Sequence, residues 1–213
     1  FTEIYSTMST NYQWSYGDIL EAVETITPVE QPALIHGERI INWGSFTTRT
    51  NNLATNLLAA GVQPGDKIAF YMRNCPEYAE GIAAAFKASL THVNVNYRYI
   101  ENELVYLLDN SDAAVVIYQA EFQHYVDDIK DQLPNVKHWL AVDNGKPSSY
   151  EDLVNKGDGS SCGVKHSPDD LLFLYTGGTT GMPKCVMWRH DDFFKLLGAG
   201  VNRIGRASCR EGV

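Results

Sequence analysis

The sequence predicts an α/β protein with a largely parallel sheet that is flanked by helices. Short apolar segments alternate with amphipathic segments of helical length, which is the pattern of parallel strands joined by crossover helices. The strand-like segments are unbroken apolar runs, as expected for a sheet that is covered on both faces. The 213 residues, of which 44% are apolar, are sufficient for a sizeable core.

The N-terminal region is expected to contain a helix, a pair of strands and a second helix. Residues 1–18 are polar and irregular, and Ile19 to Ile26 predicts a short amphipathic helix. Ala33 to Ile41 predicts two short strands around a glycine turn. Ser45 is the expected N-cap of the second helix, whose leucine face ends at Gly61.

Strands then alternate with helices as far as residue 143. Pro76 lies in the first turn of one predicted helix, where its missing N–H is tolerated, and an alanine-rich stretch follows it. The predicted strands are Lys67–Met72, Thr91–Val95, Ala113–Tyr118 and Val136–Val142, and the predicted helices are 76–90, Glu101–Asn110 and Glu121–Leu133.

A polar stretch rich in Gly, Ser and Pro separates this region from the remainder of the chain. We expect one short helix within it, a strand on either side of the glycine-rich segment that follows, and a last helix capped by Asp191 or Asp192. The predicted division is an irregular segment (1–18), a first α/β subdomain (19–143), a connection (144–169) and the start of a second subdomain with its own sheet (170–203).

Charge and cysteine content exclude several classes of protein. The 17 basic residues are outnumbered by 26 acidic ones, so the net charge of −9 argues against a general nucleic-acid binder. The sequence shows no apolar run of membrane-spanning length and no secretory signal. Cys75, Cys162, Cys185 and Cys209 do not have the spacing of a disulfide scaffold or a zinc site. We therefore expect a cytoplasmic protein without a metal site.

The segment from Tyr175 to Lys184 is the strongest chemical feature. Its three glycines let backbone N–H groups approach a ligand closely, while three threonines and a lysine add donors and positive charge. Such a loop after a buried strand suits a polyphosphate, although it matches neither the Walker nor the dinucleotide motif. A flexible hairpin with a surface lysine is the alternative. The predicted binding residues are Thr176, Gly177, Gly178, Thr179, Thr180, Gly181 and Lys184.

The string Y-T-G-G-T-T-G-M-P-K resembles the phosphate-binding signature of the adenylate-forming superfamily, which includes acyl-CoA synthetases, adenylation domains and luciferases. A second string, A-F-K-A followed by V-N-V-N-Y-R-Y (residues 85–99), is similar to one acyl-CoA synthetase branch that activates fatty acids or the acid side chains of sterols. Gly178 and the segment Val186–Arg189 fit the same branch. The resemblance covers roughly residues 19–201.

The resemblance implies a two-step ligation. A carboxylate attacks the α-phosphate of Mg-ATP, which gives an acyl-adenylate and pyrophosphate, and the thiol of coenzyme A then displaces AMP. The glycine-rich loop would hold the β- and γ-phosphates. Other adenylate-forming ligases, such as an aryl-CoA or acyl-AMP ligase, and a non-catalytic nucleotide-binding remnant are the alternatives.

The chain departs from the family pattern at three places. Cys185 stands where the family has a glycine, and its expected role is that of a small apolar residue. The chain ends before the family's acidic motif, its ribose-binding aspartate and its C-terminal domain, so we expect a truncated fold that is inactive alone and contains no assigned catalytic residue. Residues 204–213 resemble translated sequencing-adapter DNA and are expected to be a non-native tail.

Three further positions have competing interpretations. His190 either lines the acyl or nucleotide site or is a partly exposed residue before a helix cap. His92 lies between apolar residues in a strand and is expected to be structural. Arg98 and the tyrosines on either side of it are expected to form a packed loop, which the resemblance places beside a substrate tunnel.

Overall fold

A computed structural model describes residues 13–177 and 182–198. The helices are α1 (Tyr16–Ile26), α2 (Trp43–Ala59), α3 (Pro76–Lys87), α4 (Glu101–Asn110), α5 (Gln123–Ile129), α6 (Ser149–Val154) and α7 (190–198). The strands are β1 (Pro32–His36), β2 (Arg39–Asn42), β3 (Lys67–Tyr71), β4 (Thr91–Val95), β5 (Ala113–Gln119), β6 (His138–Val142), β7 (Leu171–Thr176) and β8 (Lys184–Arg189). Short 3-10 turns, Ala120–Phe122 and Lys130–Gln132, flank α5.

Six strands form one sheet in the order β6-β5-β3-β4-β7-β8. All neighbours pair in parallel except β7 and β8, which are antiparallel. The prediction of a largely parallel sheet is therefore confirmed. The expected second sheet is wrong for the described residues, because Leu172 and Phe173 of β7 pair with His92 and Val93 of β4. The predicted division into subdomains stays a prediction.

Successive residues of β3 enter two different cores, which explains its unbroken apolar run. Ile68 and Phe70 pack on one face of the sheet with residues of α2, α3 and α6. Ala69 and Tyr71 pack on the other face with residues of α4 and α5. Since side chains alternate across a strand, burial on both faces requires apolar residues at successive positions.

The starts of α1 and α2 differ from the predicted ones. Helix α1 begins at Tyr16, ahead of the predicted start at residue 19, because the Ser15 hydroxyl accepts from the Asp18 N–H at 3.0 Å. The N-cap of α2 is Asn42, not Ser45: the Asn42 carboxamide oxygen accepts from the Ser45 N–H at 2.8 Å. Serine and asparagine are comparable caps. Because β2 ends at Asn42, the helix begins directly after it and Asn42 is the residue that caps it.

Helix α7 already includes Asp191 and Asp192, so neither is the cap that the sequence predicted. The Asp191 carboxylate accepts instead from the Trp14 N–H at 3.1 Å and from the Lys195 ammonium at 2.6 Å. This carboxylate therefore joins the last described helix to the chain just before α1. No helix in the described ranges is long and apolar enough to cross a membrane.

The polar connection between β6 and β7 packs on helices α1, α2 and α3, which together are called the helical layer. The Asn52 carboxamide donates to Val154 O at 2.9 Å and accepts from the Gly159 N–H at 2.9 Å. The His166 ring bridges the Asp18 carboxylate at 3.0 Å and Lys87 O at 2.9 Å. These contacts bring β7 back to the sheet beside β4.

Candidate functional site

The glycine-rich segment connects β7 to β8, which pair as an antiparallel hairpin, and residues 177–183 between the strands are called the hairpin turn. Thr176 pairs with Lys184 across the hairpin, and both are exposed, as is Gly177. Because β7 is parallel to β4, the turn leaves the sheet at the carboxyl edge of its parallel strands, where open α/β sheets bind ligands. The predicted site residues Gly178, Thr179, Thr180 and Gly181 lie outside the described residues.

The second motif lies beside the hairpin turn. The segment after β4 places the Tyr99 hydroxyl 3.8 Å from the point that a Cβ on Gly177 would occupy. Tyr71 holds this segment by donating from its hydroxyl to Tyr99 O at 2.7 Å. Tyr97 and Tyr99 both pack against the second core, while Arg98 is exposed. The two strings separated by about 80 residues in sequence are thus neighbours at one edge of the sheet.

Arg73 is a cation at the same edge that sequence reasoning missed. It follows β3, and its guanidinium lies 5.2 Å from the Tyr97 ring centroid and 5.5 Å from that of Phe122. The same group donates to Glu121 at 2.6 Å. A charged residue directly after a buried parallel strand is the pattern that could have revealed it.

Cys185 lies opposite Tyr175 in the hairpin and is half-buried. Burial raises the pKa of its thiol, while a contact with the Tyr175 hydroxyl opposes that shift. The Tyr175 hydroxyl in turn donates to the Asn110 carboxamide oxygen at 2.8 Å. A thiol with a raised pKa stays protonated near neutral pH, which agrees with the expected apolar role.

His190 does not lie at the hairpin-turn end of the sheet. Its N–H donates to Asp170 O at 2.8 Å, just before the start of β7, so the full length of the strand, roughly 20 Å, separates it from the hairpin turn. It is also buried rather than partly exposed, with its ring centroid 5.0 Å from that of Tyr16 and 4.8 Å from that of Phe86. Burial lowers its pKa to about 4. The interpretation of His190 as a partly exposed residue is therefore wrong, and its role in an acyl or nucleotide site stays a prediction.

The prediction that His92 is structural is confirmed. The ring is buried and stacks on Phe70 with centroids 5.2 Å apart. Its Nε2 lies 3.4 Å from the Tyr78 hydroxyl. Burial lowers its pKa to about 4, so the ring is neutral at physiological pH.

The described part of the chain contains no cluster of three His, Cys, Asp or Glu side chains that could hold a metal ion. Besides the ion pair of Arg73 with Glu121, the polar groups at the carboxyl edge include hydroxyls, amides and cations, namely Thr176, Gly177, Lys184 and Arg98. Hydroxyls, backbone N–H groups and cations together favour an anionic ligand.

The chain resembles several known proteins. The family model described as AMP-binding enzyme matches residues 20–208. The 3-oxocholest-4-en-26-oate–CoA ligase of Rhodococcus rhodochrous is 38% identical over 87% of this chain and 35% of its own length. A medium/long-chain-fatty-acid–CoA/3-oxocholest-4-en-26-oate–CoA ligase of Mycobacterium marinum is 35% identical over 81% of this chain and 34% of its own length.

A solved structure, the inhibitor-bound N-terminal domain of FACL13 from Mycobacterium tuberculosis, superposes with a TM-score of 0.73. It is 26% identical, and the match covers 84% of this chain and 45% of that one. The chain spans about a third of the length of the curated relatives it matches.

Proposed function

Because the chain belongs to the family of AMP-binding enzymes, we propose that it is the N-terminal part of an ATP-dependent acyl-CoA synthetase. The observation that supports this most directly is the pairing of Thr176 with Lys184. That pairing closes the glycine-rich turn at the carboxyl edge of a parallel sheet, which is where α/β enzymes bind nucleotides. The activity is proposed for the whole protein, since the chain corresponds to about a third of its relatives.

The proposed substrate is a fatty acid or the carboxylic side chain of a sterol. The names of the Rhodococcus and Mycobacterium relatives support this class, as does the V-N-V-N-Y-R-Y string beside the hairpin. The other proposed reactants are ATP and coenzyme A, with Mg²⁺ accompanying the nucleotide. The proposed location is the cytoplasm, and Cys75, Cys162 and Cys185 are free thiols.

In this proposal the hairpin turn holds the β- and γ-phosphates of ATP. Thr176 would donate from its hydroxyl, Gly177 from its backbone and Lys184 from its ammonium, and residues 178–181 would contribute further backbone N–H groups and hydroxyls. Donors fixed in place beforehand stabilise the charge that develops on departing pyrophosphate. Holding the nucleotide also positions its α-phosphate for in-line attack by the carboxylate.

The whole protein tests the proposal by isotope exchange between pyrophosphate and ATP, followed by detection of acyl-CoA. We expect exchange with 3-oxocholest-4-en-26-oate or a long-chain fatty acid, and acyl-CoA once coenzyme A is added. Lys184→Ala should lower the exchange rate on the order of 10²-fold. Lys146→Ala is the matched control, because Lys146 is 72% exposed and pairs only loosely with Asp143 at 3.9 Å.

Other outcomes would support the alternatives. Exchange with 3-hydroxybenzoate alone would indicate an aryl-CoA ligase, and release of acyl-AMP without thioester would indicate an acyl-AMP ligase. Absence of exchange with every acid would contradict an adenylate-forming activity. We also propose that the purified 213-residue chain forms no acyl-CoA by itself, and acyl-CoA formation by that chain would contradict this.

A further inference from the structure

Asn94 replaces a backbone pair between β4 and β7. The main chains of these strands pair at His92 with Leu172 and at Val93 with Phe173. Beyond this point the Asn94 carboxamide bonds the backbone of Tyr175: its Oδ1 accepts from the Tyr175 N–H at 2.8 Å, and its Nδ2 donates to Tyr175 O at 3.2 Å. A carboxamide has one acceptor and two donor hydrogens, so it can bond both groups of one residue as a neighbouring strand would.

Tyr175 is thereby held from three directions. The Asn94 side chain bonds its backbone on one side, and on the other side Tyr175 pairs with Cys185 of β8. The phenol donates to the Asn110 carboxamide oxygen at 2.8 Å. Because Tyr175 directly precedes Thr176 and Gly177, its backbone sets where the glycine-rich turn begins.

We propose that Asn94 is a positioning residue for the phosphate-binding turn. Its carboxamide bonds the backbone of Tyr175, and it acts on the turn through that backbone. This inference rests on the proposed function, since it assigns Asn94 the task of holding Thr176 and Gly177 in register with Lys184. It also explains why the two strings recognised in the sequence belong together, because one contains the carboxamide and the other begins with the residue that it holds.

Asparagine is the residue type that this position requires. Aspartate could accept from the Tyr175 N–H but could not donate to Tyr175 O, and alanine could do neither. Asn94 is only partly buried, so water can reach the backbone groups that a smaller side chain would release. We therefore expect a substitution to loosen the hairpin turn more than it destabilises the fold.

Asn52 provides a matched control within the same chain. Its carboxamide also bonds backbone on both sides, with Val154 O and the Gly159 N–H, both at 2.9 Å. It lies on α2 and holds the connection between β6 and β7, in the helical layer. A general effect of losing one two-sided carboxamide contact should appear in both variants, whereas an effect on the hairpin turn should appear only at Asn94.

The test compares the whole protein with its Asn94→Ala, Asn94→Asp and Asn52→Ala variants. Three quantities are measured: KM for ATP in pyrophosphate exchange, the melting temperature, and hydrogen–deuterium exchange of the peptide containing residues 175–177. We expect Asn94→Ala to raise KM for ATP by about tenfold and to speed amide exchange in that peptide. Asn94→Asp should lie between alanine and wild type. Asn52→Ala should lower the melting temperature and leave both other quantities unchanged.

The inference is overturned if Asn94→Ala changes only the melting temperature, or if Asn52→Ala raises KM for ATP equally. Failure of the proposed function is distinguishable, because the wild-type protein would then show no pyrophosphate exchange with any acid. In that case the hydrogen-exchange comparison alone decides whether Asn94 holds the start of the turn.

Discussion

Arg49 forms two parallel hydrogen bonds with the fully buried carboxylate of Glu80. Its Nε donates to Oε1 at 2.7 Å and its Nη2 donates to Oε2 at 2.9 Å. The same guanidinium donates to both oxygens of Glu151, at 3.0 and 2.8 Å, and the Tyr150 hydroxyl donates to Glu80 at 3.0 Å. One cation therefore joins α2, α3 and α6, which fixes the connection to the helical layer beneath the sheet.

We expect replacement of Arg49 to be strongly destabilising. Arg49→Met leaves the Glu80 carboxylate buried without its cation, which typically costs about 3–5 kcal/mol. Arg49→Lys should cost less but remain destabilising, since a single ammonium cannot reproduce the planar fork. Urea unfolding of the purified chain measures both. Arg73→Met is the control, because Arg73 is 51% exposed in its pair with Glu121 and should cost less than about 1 kcal/mol.

Lys87, the lysine of the A-F-K-A string, is predicted to stabilise the fold rather than to bind ligand. Its ammonium donates to Glu24 at 2.7 Å and to Thr50 and Asn51 at 2.8 Å each. Burial lowers its pKa, and Glu24 opposes that shift. Lys87→Met should destabilise the chain by about 3 kcal/mol, measured by urea unfolding.

Lys130→Met is the matched control for Lys87, since Lys130 is 46% exposed beside Asp127. The Lys130→Met variant should unfold at nearly the same urea concentration as the wild type, because an exposed ion pair contributes little to stability. Equal stability losses in the two lysine variants would contradict the structural role assigned to Lys87.

Gly81→Ala is predicted to be destabilising although alanine favours helices. A Cβ on Gly81 would overlap the Phe70 ring, with two more ring carbons at 3.3 Å. Phe70 is fully buried in β3 and cannot move freely, so we expect a loss of about 1–3 kcal/mol. Gly198→Ala, in α7, where no atom of the described residues lies within 4 Å of the added Cβ, should be neutral or stabilising by up to about 1 kcal/mol. A stabilising Gly81→Ala variant would show that α3 can shift away from the sheet.

Stability is predicted to fall as the pH drops from 6.5 towards 4. Burial lowers the pKa of His92 and of His190 to about 4 each, whereas both rings protonate near 6.5 in the unfolded chain. Between these values the unfolded state binds more protons, so the free energy of unfolding decreases by up to about 1.4 kcal/mol per pH unit for each histidine. Urea unfolding at a series of pH values measures the slope of the unfolding free energy against pH.

His92→Gln removes one of the two histidines, so the variant measures how much that residue contributes to the pH dependence of stability. The variant should show a smaller slope between pH 5 and 6.5 than the wild type. Above pH 7 the two slopes should coincide, because both histidines are then neutral in the folded and the unfolded state. An unchanged slope below pH 6.5 would mean that His92 is protonated in the folded protein.

The local sequence pattern was sufficient to predict most helices and strands of this fold. The predicted bounds of β4 and α4 match the structure, and the other strands differ by a few residues at their ends. Runs of apolar residues, helical spacing of leucines and turn-forming glycines act between neighbours along the chain, so they are visible in the sequence. The glycine-rich segment was recognised for the same reason, since its residue types alone suit a polyphosphate.

Long-range pairing decided the remaining features. Which strand lies beside β7 depends on main-chain bonds between residues about 80 positions apart, and no local pattern encodes them, so a second sheet was wrongly expected. The antiparallel return of β8 moved His190 to the far end of the sheet from the hairpin turn. The contact of Asn94 with Tyr175 exists only once β4 and β7 are neighbours. The local sequence therefore specifies the helices, the strands and a glycine-rich turn whose residue types suit a phosphate, while the strand order determines which side chains surround that turn.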